Sequence, residues 1–149
     1  MAYNTIMLKS LAQNRLEKVA AGAITPGHLV KVTSSDAFIV HPTVGGAVIP
    51  IFALEDELQG KVITDAYAST DRVQANICQR GDEVNAILAT SQTIIIGDYL
   101  ESAGDGTLAK AQAQGSVSDG ESYPNRIVAT ATEAVTTTGA VARICVRII

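Results

Sequence analysis

The sequence predicts an all-β fold, one β-rich domain over 19–149 behind an extended or partly helical N-terminal arm over 1–18, and three observations predict it. Hydrophobic residues make up 47% of the chain but aromatics only 4%, so the apolar share is Ala, Val, Ile and Leu with no Trp. Small and β-branched side chains suit a pleated, half-buried surface. From Val19 onward, apolar runs of strand length alternate with turn signatures, and the last ten residues alternate strictly between two faces. A length of 149 residues fits a single domain with a core of its own.

In chain order, Ile6, Met7, Leu8, Leu11, Arg15 and Leu16 permit a short amphipathic helix in the arm. Thr25-Pro26-Gly27 then reads as a type II turn, with Pro presetting φ and Gly supplying the positive φ after it. Strands over His28–Thr33 and Ala37–His41 form a hairpin around Ser34-Ser35-Asp36. Pro50 confines the run Ala47–Ala53 to an edge or a bulge, because it cannot donate to a ladder. Leu54 to Thr70 loses periodicity and reads as a long ordered loop, the kind that usually makes contacts. Arg72–Cys78 and Glu83–Leu88 flank a turn at Gln79–Asp82 and predict another hairpin. Ile94-Ile95-Ile96 is expected as strand core, and Gly104-Asp105-Gly106 as the turn that returns the chain into Thr107–Ala111. Residues 112–124, rich in Gln, Gly, Ser and Asp, read as a mobile or partner-ordered loop. Arg126–Val135 pairs with Ala140–Ile149, whose Ala142, Ile144, Val146 and Ile148 share one face while Arg143, Cys145 and Arg147 share the other.

Charge is polarised along the chain. Up to Lys31, Lys9, Arg15, Lys18 and Lys31 face Glu17 alone, leaving seven basic and fourteen acidic residues for the remainder. A formal charge of −4 argues against broad attraction to nucleic acid or an anionic membrane. No apolar run approaches the roughly 18 residues of a spanning helix, and the start carries no basic-then-apolar export signal, so the protein is expected to stay where it is made. Cys78 and Cys145, each in an apolar strand, are expected as buried reduced thiols.

Catalytic constellations are missing from the sequence. It has no phosphate-cradling G-x-x-x-x-G-K-[ST] loop, no G-x-S-x-G elbow, no H-E-x-x-H helix and no C-x-x-C pair. His28 and His41 bracket the first hairpin, yet no third ligand lies beside them at metal spacing, so neither metal nor cofactor is expected. Glu55-Asp56-Glu57 reads as a solvated acidic patch, since no Asp-x-Asp-x-Asp-Gly loop surrounds it. Asp98, Glu101 and Asp105 are accounted for by turn chemistry. Trimeric all-β nucleotide pyrophosphatases have this length, but their acidic metal-water motif and glycine-rich C-terminal arm have no counterpart in a chain that closes on a plain strand.

Several stretches together carry a likeness: Ala21-Gly22-Ala23-Ile24-Thr25-Pro26-Gly27-His28-Leu29-Val30, Arg80-Gly81-Asp82-Glu83-Val84-Asn85-Ala86, Gly97-Asp98-Tyr99-Leu100 through Lys110-Ala111, and the closing Ala/Thr run into Ala142-Arg143-Ile144. With the low-aromatic composition, they resemble the capsid decoration, or head cement, proteins of tailed bacteriophages. The basic N-terminal segment departs from that pattern. The resemblance implies a β-barrel or β-tulip-like module, a homotrimer on threefold or quasi-threefold positions outside an expanded shell, bridging major capsid subunits without catalysis, membrane or nucleic acid. Expected capsid contacts are Lys9, Arg15 and Lys18, with Glu55, Asp56 and Glu57 in the 54–70 loop; expected trimer contacts are Arg143, Arg147 and the 112–124 loop. A tail or baseplate protein shares the β-rich, Ala/Thr-rich look. A carbohydrate-binding module needs exposed aromatics that four Tyr and two Phe supply poorly.

Overall fold

The computed structural model describes residues 2–112 and 125–149, so the 112–124 loop lies outside the described residues apart from Gln112. Its centre is a closed barrel of five strands. β7 (Glu83–Leu88) pairs along its length with the closing strand β13 (Ala142–Ile148), from Ala142 opposite Leu88 to Arg147 opposite Glu83. β13 pairs with β11 (Ile127–Ala131), β11 with β9 (Tyr99–Ser102), and β9 with β10 (Leu108–Lys110). A short parallel contact between Leu108 and Leu88 returns β10 to β7 and closes the ring.

The alternation read from the sequence sets which residues fill the barrel. Ile144, Val146 and Ile148 point inward against Val84, Ala86, Leu88, Leu100, Leu108 and Ala129, all essentially inaccessible to solvent. The interior of so narrow a barrel is filled by side chains, here alanines and branched aliphatics, with Phe52 packed into the same core. Burying each large aliphatic stabilises the fold by about 1.5–3 kcal/mol.

Around the barrel lie a three-stranded sheet of β2 (Arg15–Val19), β6 (Arg72–Ile77) and β5 (Ile51–Ala53), the hairpin of β3 (Val30–Val32) and β4 (Phe38–Val40), and a ribbon of β8 (Thr93–Ile94) with β12 (Val135–Thr136). Phe38, Tyr67, Ile24, Val30 and Val73 make a second core under the sheet and hairpin. The type II turn is present: Gly27 has φ 95° and His28 N–H donates to Thr25 O at 3.0 Å. The turn at 103–106 is present as well, closed by Ala103 N–H to Thr107 O at 2.9 Å. Pro50 stands just before β5, the end strand of its sheet.

Four sequence expectations are corrected. The short helix over Ile6–Leu16 does not form; the segment is extended, with β1 (Met7–Lys9) on the edge of β7 and β2 along β6. Ile6 is fully buried, so this part of the chain gains more by completing two sheet edges than by forming an isolated, weakly capped helix. Secondly, β6 and β7 are not a hairpin: the Gln79–Asp82 turn passes the chain from the outer sheet to the barrel, where β6 pairs with β2 and β5 while β7 pairs with β13 and β1. Thirdly, of Ile94-Ile95-Ile96 only Ile94 is core; Ile95 and Ile96 are 60% and 69% exposed. The turn into β9 starts there, with Asp98 Oδ2 accepting from Ile95 N–H at 3.0 Å. Finally, Glu55 and Asp56 are buried rather than solvated, and only Glu57 opens to water, at the start of the 3₁₀ turn Glu57–Gln59.

Candidate functional site

The residues singled out in the sequence fall into three places on the surface. On the barrel wall, register puts Lys9 of β1 opposite Glu83 of β7, and Glu83 opposite Arg147 of β13. Residues directly opposite in antiparallel strands share a face, so the three form a basic, acidic, basic row across the outside of the barrel. Glu83 Oε1 accepts from Arg147 Nη2 at 2.7 Å and Nε at 3.2 Å, and Lys9 remains exposed. A residue expected to contact a shell and one expected to contact a second copy therefore stand on one surface.

The second place is the outer face of β2 and β6 with the adjoining loop. Arg15 Nη1 donates to Gln74 Oε1 at 3.2 Å, and Arg72 pairs with Glu17 at 3.3 Å. Both arginines are exposed. Arg15, Glu55 and Glu57 line one small cavity with Thr5 and Met7, while Asp56, Lys61, Asp71 and Arg72 line a neighbouring cleft of about 260 Å³. Leu58, 86% exposed, crowns the loop beside that cleft. Lys18 is set apart: it shares the inward face of β2 with Leu16, and its stem is largely covered while its ammonium reaches Asp36 in the β3–β4 turn. Such snorkelling lets a lysine cover apolar surface and still place its charge outside.

The third place surrounds Arg143, the half-buried member of the β13 arginine pair. Its guanidinium donates to Ile63 O at 2.6 Å, Pro26 O at 3.0 Å and Asn85 O at 3.4 Å, stitching the 54–70 loop and the type II turn to the barrel. Glycine at 27 is required here on two counts, since a Cβ would stand 2.6 Å from Arg143 Nη1 and φ is positive. Burial lowers the Arg143 pKa, and the nearby Glu55 carboxylate partly opposes this.

The candidate chemical groups are occupied structurally. His41 is buried between Ser102 Oγ at 2.8 Å from Nδ1 and Ala47 O at 3.2 Å from Nε2, and burial lowers its pKa. His28 Nδ1 accepts from Thr25 N–H at 3.2 Å, and burial lowers its pKa also. Among the described residues, no three His, Cys, Asp or Glu side chains gather as metal ligands. Both cysteines are free and buried; burial pushes the Cys78 thiol up to about 12 and raises that of Cys145, the opposite of what a nucleophile needs.

Sequence reasoning missed the buried polar residues. Glu101, attributed to turn chemistry, is instead a barrel-strand carboxylate covered by Gly45 and Gln112 and paired with Arg126 at 3.6 Å. Asn85 is covered by the N-terminal segment, with Nδ2 donating to Thr5 O at 3.3 Å. The one available signal was a polar residue interrupting an inward-and-outward strand pattern that is otherwise apolar.

The chain matches no protein-family model and no curated protein sequence. Its fold is similar to that in the crystal structure of the N base of head fiber gp8.5 from bacteriophage phi29, with a TM-score of 0.59 over 93% of this chain and 95% of that one, at 13% identity.

Proposed function

We propose that this protein is a structural component of a phage virion that attaches to the outside of the head. The observation that carries the reading is the likeness, over 93% of this chain and 95% of that one, to the N base of a head fiber. It agrees with the sequence resemblance to head cement proteins and with side-chain chemistry that serves packing.

In the finer form of the reading, the protein binds as a homotrimer at threefold or quasi-threefold positions and bridges major capsid subunits, stabilising the expanded shell. A packaged genome pushes capsomers apart, and a trimer that spans several of them adds interface at each junction. Three weak contacts made at once give avidity that one contact does not. The exposed Lys9 and Arg15, with Glu57 and Leu58 of the 54–70 loop, meet the shell; Arg147 lies toward the neighbouring copy. Lys18, Glu55, Asp56 and Arg143 hold these surfaces in place through contacts within the chain.

Deleting residues 2–18 is not a clean test, because it removes β1, most of β2 and the buried Ile6. Point changes at exposed positions are. Purified protein is mixed with expanded capsids that lack it and sedimented, and Lys9→Glu/Arg15→Glu is compared with the unchanged chain. The reading expects the unchanged protein to pellet with capsids and the variant to lose most of that binding with its melting temperature intact. Failure of the unchanged protein to pellet overturns attachment; equal pelleting of the variant overturns the assigned contact.

A further inference from the structure

β2 ends the three-stranded sheet, and among the described residues no strand ladder runs along its second edge. Its bonds to β6 fix which groups lie on that edge. Ile77 N–H donates to Asn14 O at 2.9 Å and Ala20 N–H to Asp71 O at 2.8 Å, so in the antiparallel ladder between them Leu16 and Lys18 turn their backbone groups toward β6. Arg15 and Glu17 turn theirs away. The β3–β4 hairpin closes the edge only toward the C-terminal end of β2, where Ala20 bridges Phe38, Ala21 N–H donates to Phe38 O at 2.9 Å and Lys18 is tied to Asp36. The backbone N–H and C=O of Arg15 and Glu17 are left on an open edge, which is a template for one more strand.

The side chains select the strand that fits. Arg15 and Glu17 are exposed on the outer face, and Leu16 between them is half-buried on the inner one. When a strand pairs antiparallel with its own copy, residues whose backbone groups face outward stand opposite one another. Arg15 then meets Arg15, Glu17 meets Glu17, or Arg15 of each copy meets Glu17 of the other. The first two registers set like charges directly across the ladder, which destabilises it. The third sets opposite charges across it on both sides of the axis and brings the two Leu16 side chains together at its centre. Both charges are available: among the described residues Arg15 bonds only the neutral amides of Gln13 and Gln74, and Glu17 accepts from Arg72 through Oε1 alone.

We propose that β2 is a self-pairing edge: two copies of this chain join antiparallel through residues 15–17 about a twofold axis at Leu16, with Arg15 of each copy opposite Glu17 of the other. The contact lies on the outer sheet rather than on the barrel strand that carries Arg147, so it adds to a threefold contact and does not replace it. The pairing rests on the edge alone. Its use, linking one trimer to the next across a shell, rests on the attachment reading above.

The isolated full chain tests the pairing without capsids, by mass in solution and by disulfide trapping. The unchanged protein is expected to associate into an even number of copies. Glu17→Arg, at an exposed position with no assigned shell contact, sets arginine opposite Arg15 and is expected to fall to half that mass or less. Arg15→Glu/Glu17→Arg exchanges the two charges and is expected to regain the mass, a recovery particular to the register that sets 15 opposite 17. Leu16→Cys gives the second readout. Residues opposite in a non-hydrogen-bonded antiparallel pair have Cα atoms about 4.5 Å apart, within reach of a disulfide. Leu16→Cys is therefore expected to form a covalent dimer on oxidation at least tenfold faster than Val19→Cys, whose two copies stand at opposite ends of the ladder. An odd copy number in the unchanged protein, an unchanged mass in Glu17→Arg, no recovery in the exchanged variant, or equal trapping at 16 and 19 overturns the pairing. If these results hold and the protein does not pellet with capsids, attachment falls and the pairing stands.

Discussion

Glu55 receives the backbone N–H of Ile6 between its two carboxylate oxygens, at 3.2 and 3.3 Å, in a site closed to solvent. One bond across 49 residues of sequence thereby fastens the N-terminal segment to the long loop. Glu55→Ala leaves a buried donor unsatisfied and is expected to cost about 1–3 kcal/mol, whereas Glu55→Gln keeps an acceptor and costs less. Urea unfolding of the two variants measures this, and equal losses would contradict the assigned bond.

Gly27→Ala is expected to destabilise by more than about 1 kcal/mol, because φ there is 95° and the new methyl stands 2.6 Å from Arg143 Nη1. Gly22→Ala, whose Cβ meets nothing within 4 Å, is the control and should change the midpoint little.

Stability should fall as the solution is acidified from pH 7.5 to 5.5. Burial lowers the pKa of His28 and His41 below 6.5 in the folded chain. Below pH 6.5 the unfolded chain takes up protons that the folded chain does not, so stability is full above that pH and is lost as pH drops toward the folded values. Each histidine contributes a slope of at most about 1.4 kcal/mol per pH unit. Urea midpoints at the two pH values test it: His28→Gln/His41→Gln should flatten the dependence, and a midpoint that rises on acidification would contradict it.

Cys78 and Cys145 should resist a thiol reagent at pH 8 in the folded protein and react fully in denaturant, since both are buried with raised pKa values. Fast labelling of either thiol in the native state would contradict the packing around it.

Glu83→Gln should cost at most about 1 kcal/mol, the range of an exposed ion pair, because Arg147 remains about half exposed. If Arg147 meets a second copy, the change should shift the oligomeric mass in light scattering more than the melting temperature. An unchanged mass would place the trimer contact elsewhere.

What could be read from the sequence was local. Thr25-Pro26-Gly27 carries its own geometry, and the 28–41 and 99–110 hairpins followed from the turns at Ser34-Ser35-Asp36 and Gly104-Asp105-Gly106. Partners chosen over long separations were not legible. The Gln79–Asp82 turn looks like a hairpin turn, yet β6 takes β2 and β5, while β7 takes β13 and closes the barrel. Period-2 alternation identified the inward face of β13, but nothing in it distinguishes Arg147, exposed beside Glu83, from Arg143, set on three carbonyls of its own chain. Likewise the Glu55-Asp56-Glu57 triplet reads as a solvated patch because the donor that buries Glu55 belongs to Ile6, far away in sequence.

Attachment to a capsid is the central claim, and copy number per particle tests it most directly. Quantitative mass spectrometry of purified virions, with the major capsid protein as internal standard, reads that number. The account predicts copies in the hundreds and in a fixed ratio to the capsid protein, as a repeating shell site requires. A handful of copies per particle, the stoichiometry of a tail or baseplate, would contradict it.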